Sequence, residues 1–191
     1  MVVVQPRLTP DDLARMAQAG ELDREARFEL VDGEIIWLTF PSLYHNRVCL
    51  EIAMALSAFA RSVGAVVFSD GAGFRTGPNR MNVRGPDVAL VSRERRRIVP
   101  RDAVWGEEGP DLCVEVLSPE QHGEAYARSK VAEYLDSGAK VVWLVDPEQR
   151  TARVYEAGKR EFATYSGDAE ITLDVIAPGF RHPVSAFFPA D

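Results

Sequence analysis

Gly109-Pro110-Asp111-Leu112-Cys113-Val114-Glu115-Val116-Leu117-Ser118-Pro119 is an apolar run with carboxylates inside it, opened by Gly-Pro and closed by Ser-Pro. That bounding predicts one buried strand. Side chains alternate along a strand, so Leu112, Val114 and Val116 face one way, and Asp111, Cys113, Glu115 and Leu117 the other. Glu115 is thus expected near the end of a core strand, among apolar neighbours. An ionised carboxylate buried alone costs several kcal/mol, so it has to be paired, protonated or bound to a metal. Upstream, Pro86-Asp87-Val88-Ala89-Leu90-Val91-Ser92 repeats the pattern, with a carboxylate opening a hydrophobic strand. Two acids at the ends of two short core strands are the start of a site.

After Ser118-Pro119 a helix is expected from about residue 120 or 124 to Ser137, stopped by Gly138. Ala127, Val131 and Leu135 form its apolar row, and Tyr126, Lys130 and Tyr134 an adjacent one at the same four-residue step. Lys130 therefore lies beside the buried stripe, although it could simply snorkel over its two tyrosines. Lys140 to Pro147 reads as another buried strand. On the other side of the Asp87 strand, a long helix is expected over 43–62, with Val48, Ile52, Ala55, Leu56 and Phe59 on its buried face. His45 falls near that face in the first turn. Ala65 to Ser69 is a strand, and Gly71 to Thr76 looks like its hairpin partner. This order predicts an α/β (α+β) sandwich: a central mixed sheet flanked by helices.

The remainder hangs on this core, placed at about 42–146 of a single domain spanning 1–191. Residues 9–39 hold a helix that Thr9-Pro10-Asp11-Asp12 should start, then a hairpin turning at Asp32-Gly33. Residues 151–188 read as a β-rich extension, its last segment packed down by aromatics. Those terminal strands and aromatics point to a self-associating edge and hence a homodimer. No apolar run approaches the roughly 20 residues of a membrane span, and Met1-Val2-Val3-Val4 is too short for a signal peptide. Cys49 and Cys113 lack metal-type spacing and read as reduced, buried thiols, which fits a cytoplasmic protein. The net charge of −7 argues against a broad basic groove for nucleic acid.

Two carboxylates converging on one point suit a hard divalent cation, since Mg²⁺ takes one or two carboxylates and completes its shell with water and phosphate oxygens. Such an ion activates water and neutralises charge on a phosphodiester. A lysine nearby would stabilise the transition state. Glu-x-Lys would keep both groups on one strand face, but Leu117 stands where that lysine would be, which leaves Lys130 as the substitute. An ordinary ion pair between Glu115 and an arginine such as Arg84 is the structural alternative. The arginine-rich stretch Arg93 to Arg97 reads as a solvated face or as a local phosphate patch, together with Arg75, Arg80 and Arg84. Trp143 is expected in the core; His122 and His182 are expected at the surface.

Several blocks resemble one family. They are Arg27-Phe28-Glu29-Leu30-Val31-Asp32-Gly33-Glu34, Gly85-Pro86-Asp87-Val88, Pro110 to Pro119, Lys130-Val131-Ala132-Glu133-Tyr134-Leu135 with Gly138, and Val142-Trp143-Leu144-Val145-Asp146-Pro147. Together, from about Leu8 to Phe188, they are similar to the signature of the Uma-two family, bacterial proteins of the PD-(D/E)XK restriction-endonuclease-like superfamily. The resemblance implies a metal-dependent endonuclease core acting on DNA. Asp87 and Glu115 would hold Mg²⁺, with Mn²⁺ as the alternative ion, and Lys130 would be the migrated lysine. Glu29, Glu34 and His45 fall in or beside the N-terminal blocks as accessory residues. Arg75, Arg84 and Arg93 are the candidates for nucleic-acid contact. The segment Glu120-Gln121-His122-Gly123 departs from the Ser/Thr-Asp-rich wording of the family. The competing readings are a nuclease-fold module that only binds nucleic acid or a protein partner, and a nuclease for RNA or branched substrates.

Overall fold

The computed structural model describes residues 7–22, 27–69, 71–118 and 123–190. Thr9 starts helix α1 (Pro10–Ala19) through a reciprocal cap: its side chain accepts from the Asp12 N–H, and the Asp12 carboxylate accepts from the Thr9 N–H at 2.9 Å. Strands β1 (Arg27–Val31) and β2 (Glu34–Leu38) follow as an antiparallel hairpin. Asp32 and Gly33 both have positive φ, 49° and 81°, the conformation a two-residue hairpin turn demands. Helix α2 (Leu43–Val63) is capped by Ser42 and buries Val48, Ile52, Leu56 and Ala60, while Ala55 and Phe59 are half-buried at its flank. Gly64 ends it in the left-handed conformation.

Strands β3 (Val66–Ser69), β4 (Phe74–Thr76), β5 (Asn82–Arg84), β6 (Val88–Val91) and β7 (Leu112–Val116) come next. They are followed by helix α3 (Gly123–Asp136), then β8 (Val141–Asp146), β9 (Thr151–Glu156) and β10 (Ala163–Ser166). The main sheet has six strands in the order β10-β9-β8-β7-β6-β3. Only its β7–β8 pair is parallel, which requires a crossover, and α3 is that crossover. The α2 stripe packs on the sheet face carrying Val88, Leu90, Leu112, Val114, Val116 and Trp143. Val131 and Tyr134 of α3 pack on the opposite face against Cys113 and Val142. The expected α/β sandwich with a mixed sheet is therefore observed. The surface expectation for His122 lies outside the described residues, as does the earlier of the two expected starts for α3.

Three expectations change. The stretch 71–76 does not pair with β3. β3 pairs with β6, and β4 instead joins a second, four-stranded sheet in the order β2-β1-β5-β4. Gly73 and Gly85 allow this, because a Cβ on Gly73 would lie 2.6 Å from the Trp105 ring and one on Gly85 would lie 2.8 Å from the Gly71 carbonyl. The terminal aromatics do not line an edge: Phe180, Phe187 and Phe188 are buried in the main core, where two of them flank Trp143. His182 is likewise not at the surface. It is half-buried and stacked between Phe180 and Phe187, with ring centroids 6.1 and 5.0 Å away. It is the central residue of β12 (Arg181–Pro183), paired with Ile171 of β11 (Glu170–Thr172) in the last small ribbon.

Because Phe187 is fully buried against Trp143, the C-terminal segment and the main sheet should unfold as one unit. Phe187→Ala should cost about 3–5 kcal/mol. In urea denaturation it should lower a single transition, followed together by Trp fluorescence and circular dichroism. A separate early transition would show that the extension folds independently.

Candidate active site

The site forms where β6 and β7 end together. Val88 of β6 pairs with Val114 of β7, so Asp87, one residue before β6, comes level with Glu115. The Asp87 carboxylate replaces the next ladder bond, its Oδ2 accepting from the Val116 N–H at 2.8 Å. His45, in the first turn of α2, reaches the same point, with Nε2 3.0 Å from the Val116 carbonyl oxygen and 3.3 Å from Asp87 Oδ2. An imidazole nitrogen facing a carbonyl must carry the proton, so Nε2 donates and Nδ1 is left to accept. The Cys49 thiol, one turn along α2, lies 3.5 Å from Nδ1 and donates to it while the ring is neutral.

Glu115 is 5% exposed and held at both oxygens from α3. Lys130 Nζ donates to Oε2 at 3.0 Å, and the Tyr134 hydroxyl donates to Oε1 at 2.6 Å. Residues four apart lie one above the other on a helix, so one face of α3 clasps the whole carboxylate. Lys130 is also 3.2 Å from Glu29 Oε1 on β1. Glu29 is fully buried and accepts from Arg84 Nη1 at 2.8 Å. Arg84 continues to Glu133 at 2.8 Å, which also accepts from Thr76 at 2.6 Å and Asn82 at 2.9 Å. The two sheets and α3 are thus joined by one charged network.

Burial pushes the Glu115 carboxyl up to about 7; Lys130 opposes this, and the nearby Asp87 and Glu29 add to it. Burial works against the charge on Lys130, but Glu115, Glu29 and Asp87 outweigh it and hold the ammonium above its ordinary range. For His45, burial is likewise overcome, by Asp87 and the Val116 carbonyl, so it titrates above its usual value. Burial, with Asp87 and Glu115 nearby, raises the Cys49 thiol. Glu133 is held below its usual value because Arg84 outweighs its burial.

Asp87, Glu115, Lys130 and His45 line one cleft of about 340 Å³ between the main sheet and the β1–β2 hairpin. Glu29 sits behind Lys130. Of the accessory acids Glu34 is not brought in: it is exposed beside the hairpin turn, opposite Val31. The arginine candidates separate as well. Arg84 is buried and committed to Glu29 and Glu133 rather than to Glu115. Arg75 pairs with Asp11 on α1. Arg93 is exposed with its side chain against Gly64 at the end of α2. Its neighbour Arg95 bonds Glu108 and the Gly109 carbonyl, so the arginine run serves the approach to β7. Asp111, on the same strand face as Glu115, is structural: it accepts from the Ser92 N–H at 2.8 Å and pairs with Lys140 at 3.2 Å. Tyr134 is the contact that sequence reading missed. The four-residue step from Lys130 placed it correctly, but nothing in the sequence showed its hydroxyl turning onto Glu115.

The donor set fits a hard divalent cation. Asp87 and Glu115 open onto the same cleft, and Asp87 Oδ1 has no hydrogen bond among the described residues. Among the described residues Asp87 pairs with His45 and with no lysine or arginine. His45, Cys49 and Asp87 also offer ligand atoms within 4.8 Å of one another. That set fits less well, because a thiol raised by burial stays protonated and ligates poorly.

This sheet, its flanking helices and the acids at the strand ends define a restriction-endonuclease-like nuclease fold. A crystal structure described as "a putative nuclease belonging to DUF820", from Anabaena variabilis, superposes with a TM-score of 0.78. It is 21% identical, and the match covers 95% of this chain and 97% of that one. The family model Uma2, described as "Putative restriction endonuclease", matches residues 10–185, and the chain belongs to this family. No protein of curated function matches it.

Since the folded Glu115 titrates near 7 rather than near 4.5, the metal-free fold binds its proton more tightly than the unfolded chain does. The stability this gives is complete below the unfolded value and is lost as pH rises through about 7. Melting temperatures of the wild type relative to Glu115→Gln should therefore fall across that window. A flat difference would contradict the assignment.

Proposed function

We propose that the chain is a divalent-metal-dependent endonuclease that hydrolyses phosphodiester bonds in DNA. The observation carrying this reading is the meeting of Asp87 and Glu115 in one cleft, with Lys130 Nζ 3.0 Å from Glu115. Asp87 and Glu115 would hold Mg²⁺ or Mn²⁺, which when bound supplies an activated water and neutralises phosphate charge.

The chain's own groups divide the remaining work. His45 fixes Asp87 by donating toward the same oxygen that accepts from the Val116 N–H. Tyr134 fixes Glu115 from behind. Lys130, kept protonated by Glu115 and Glu29, acts as a fixed positive charge rather than as a base. It lines the cleft and can face the negative charge that builds on phosphorus oxygens. In the reaction the water oxygen bonds to phosphorus and one P–O ester bond breaks. The leaving alkoxide takes up a proton, and the attacking water loses one to solvent.

Nicking of supercoiled plasmid tests the reading. It should require Mg²⁺ or Mn²⁺, disappear in Asp87→Ala and Glu115→Ala, and fall by roughly 10²–10³-fold in Lys130→Ala. Circular dichroism should show each variant folded. A wild type that binds nucleic acid yet never cuts, with metal present, would instead support the binding-module reading. Parallel assays on single-stranded DNA and RNA report which polymer is preferred.

A further inference from the structure

Arg27 belongs to none of the roles assigned above. It opens β1 and lies two residues before Glu29, so the two side chains share the strand face turned toward the cleft. Its placement is unusual in a second way. Beside the main cleft there is another recess, of about 250 Å³, with Asn46, Ser69 and Cys49 in its lining. Both recesses include Arg27, His45 and Asp87. A polymer cut at Asp87 needs room for chain on either side of the cut, and Arg27 stands where the two spaces adjoin.

Among the described residues, the other cations near the cleft are already paired. Lys130 is shared by Glu115 and Glu29, and Arg84 by Glu29 and Glu133. Among the described residues Arg27 has no carboxylate within ion-pair distance, and it is half-buried. Its guanidinium rests on the backbone of Gly71, where an added Cβ would lie 3.1 Å from Nη2. With a chain of net charge −7, affinity for a polyanion must come from such local groups. A guanidinium presents paired donors matched to phosphate oxygens.

We propose that Arg27 is a substrate-binding cation of this site, taking a non-bridging phosphate oxygen of the strand held at Asp87. This rests on the nuclease reading and adds a phosphate subsite to it. It also moves the polymer contact away from Arg75, Arg84 and Arg93.

The experiment measures binding of a short fluorescein-labelled single-stranded DNA by anisotropy, in Ca²⁺, across a salt series. Wild type, Arg27→Ala and Arg27→Lys are compared, with metal affinity from calorimetry and fold from circular dichroism. Arg27→Ala should weaken binding roughly 10- to 100-fold. It should also reduce the slope of log affinity against log salt by about 1, as loss of one phosphate contact does. Arg27→Lys should recover the slope but only part of the affinity. Metal affinity should not fall in either variant. An unchanged dissociation constant and salt slope in Arg27→Ala, while the wild type binds and cuts, would overturn the Arg27 assignment alone. A salt slope that stays put while metal affinity drops would assign Arg27 to charge balance around Asp87 and also overturn it. A wild type that neither binds nor cuts DNA would remove the nuclease reading itself.

Discussion

The contact on which the site depends is the grip of α3 on Glu115. A carboxylate that is almost wholly buried survives as an anion only with compensation nearby, and here one helical face supplies an ammonium to one oxygen and a phenol to the other. Breaking a buried pair by removing one partner is far more costly than losing an exposed one, so Lys130 and Glu115 hold each other in place. Glu29 completes the arrangement from the second sheet, and Arg84 and Glu133 tie that sheet to α3. The polar groups that organise the candidate site are therefore also what couples the hairpin to the main sheet.

Much of this was legible in the chain. The Gly-Pro and Ser-Pro brackets around 109–119 marked β7, and alternation alone put Glu115 and Cys113 on the face opposite Leu112, Val114 and Val116. The four-residue step through Tyr126, Lys130 and Tyr134 placed Lys130 at the margin of the buried stripe, where it is found 7% exposed. These are periodic signals, fixed by local geometry. His45 was visible for the same reason.

What was not legible depends on partners distant in sequence. The pairing of 71–76 with β5 rather than β3 comes with close approaches of distant segments, Trp105 at Gly73 and Gly71 at Gly85, which the local strand pattern does not announce. Arg84 is a phosphate candidate in the sequence through its nearness to the Arg93 to Arg97 run. Its commitment to Glu29 and Glu133 arises only when β1, β5 and α3 are brought together. Glu34 and Glu29 lie on one strand face by alternation, yet only Glu29 reaches the network, since Glu34 sits at the turn end of the hairpin. Nothing in the sequence around His182 shows that its ring is stacked between Phe180 and Phe187.

The crossover position of α3 has a consequence for how the protein comes into being. Glu115 precedes Lys130 in the chain, and its ammonium partner is in place only once α3 packs across the parallel strand pair. Until then the two carboxylates favour separation or protonation. The candidate site is thus complete only once that helix has settled onto the sheet.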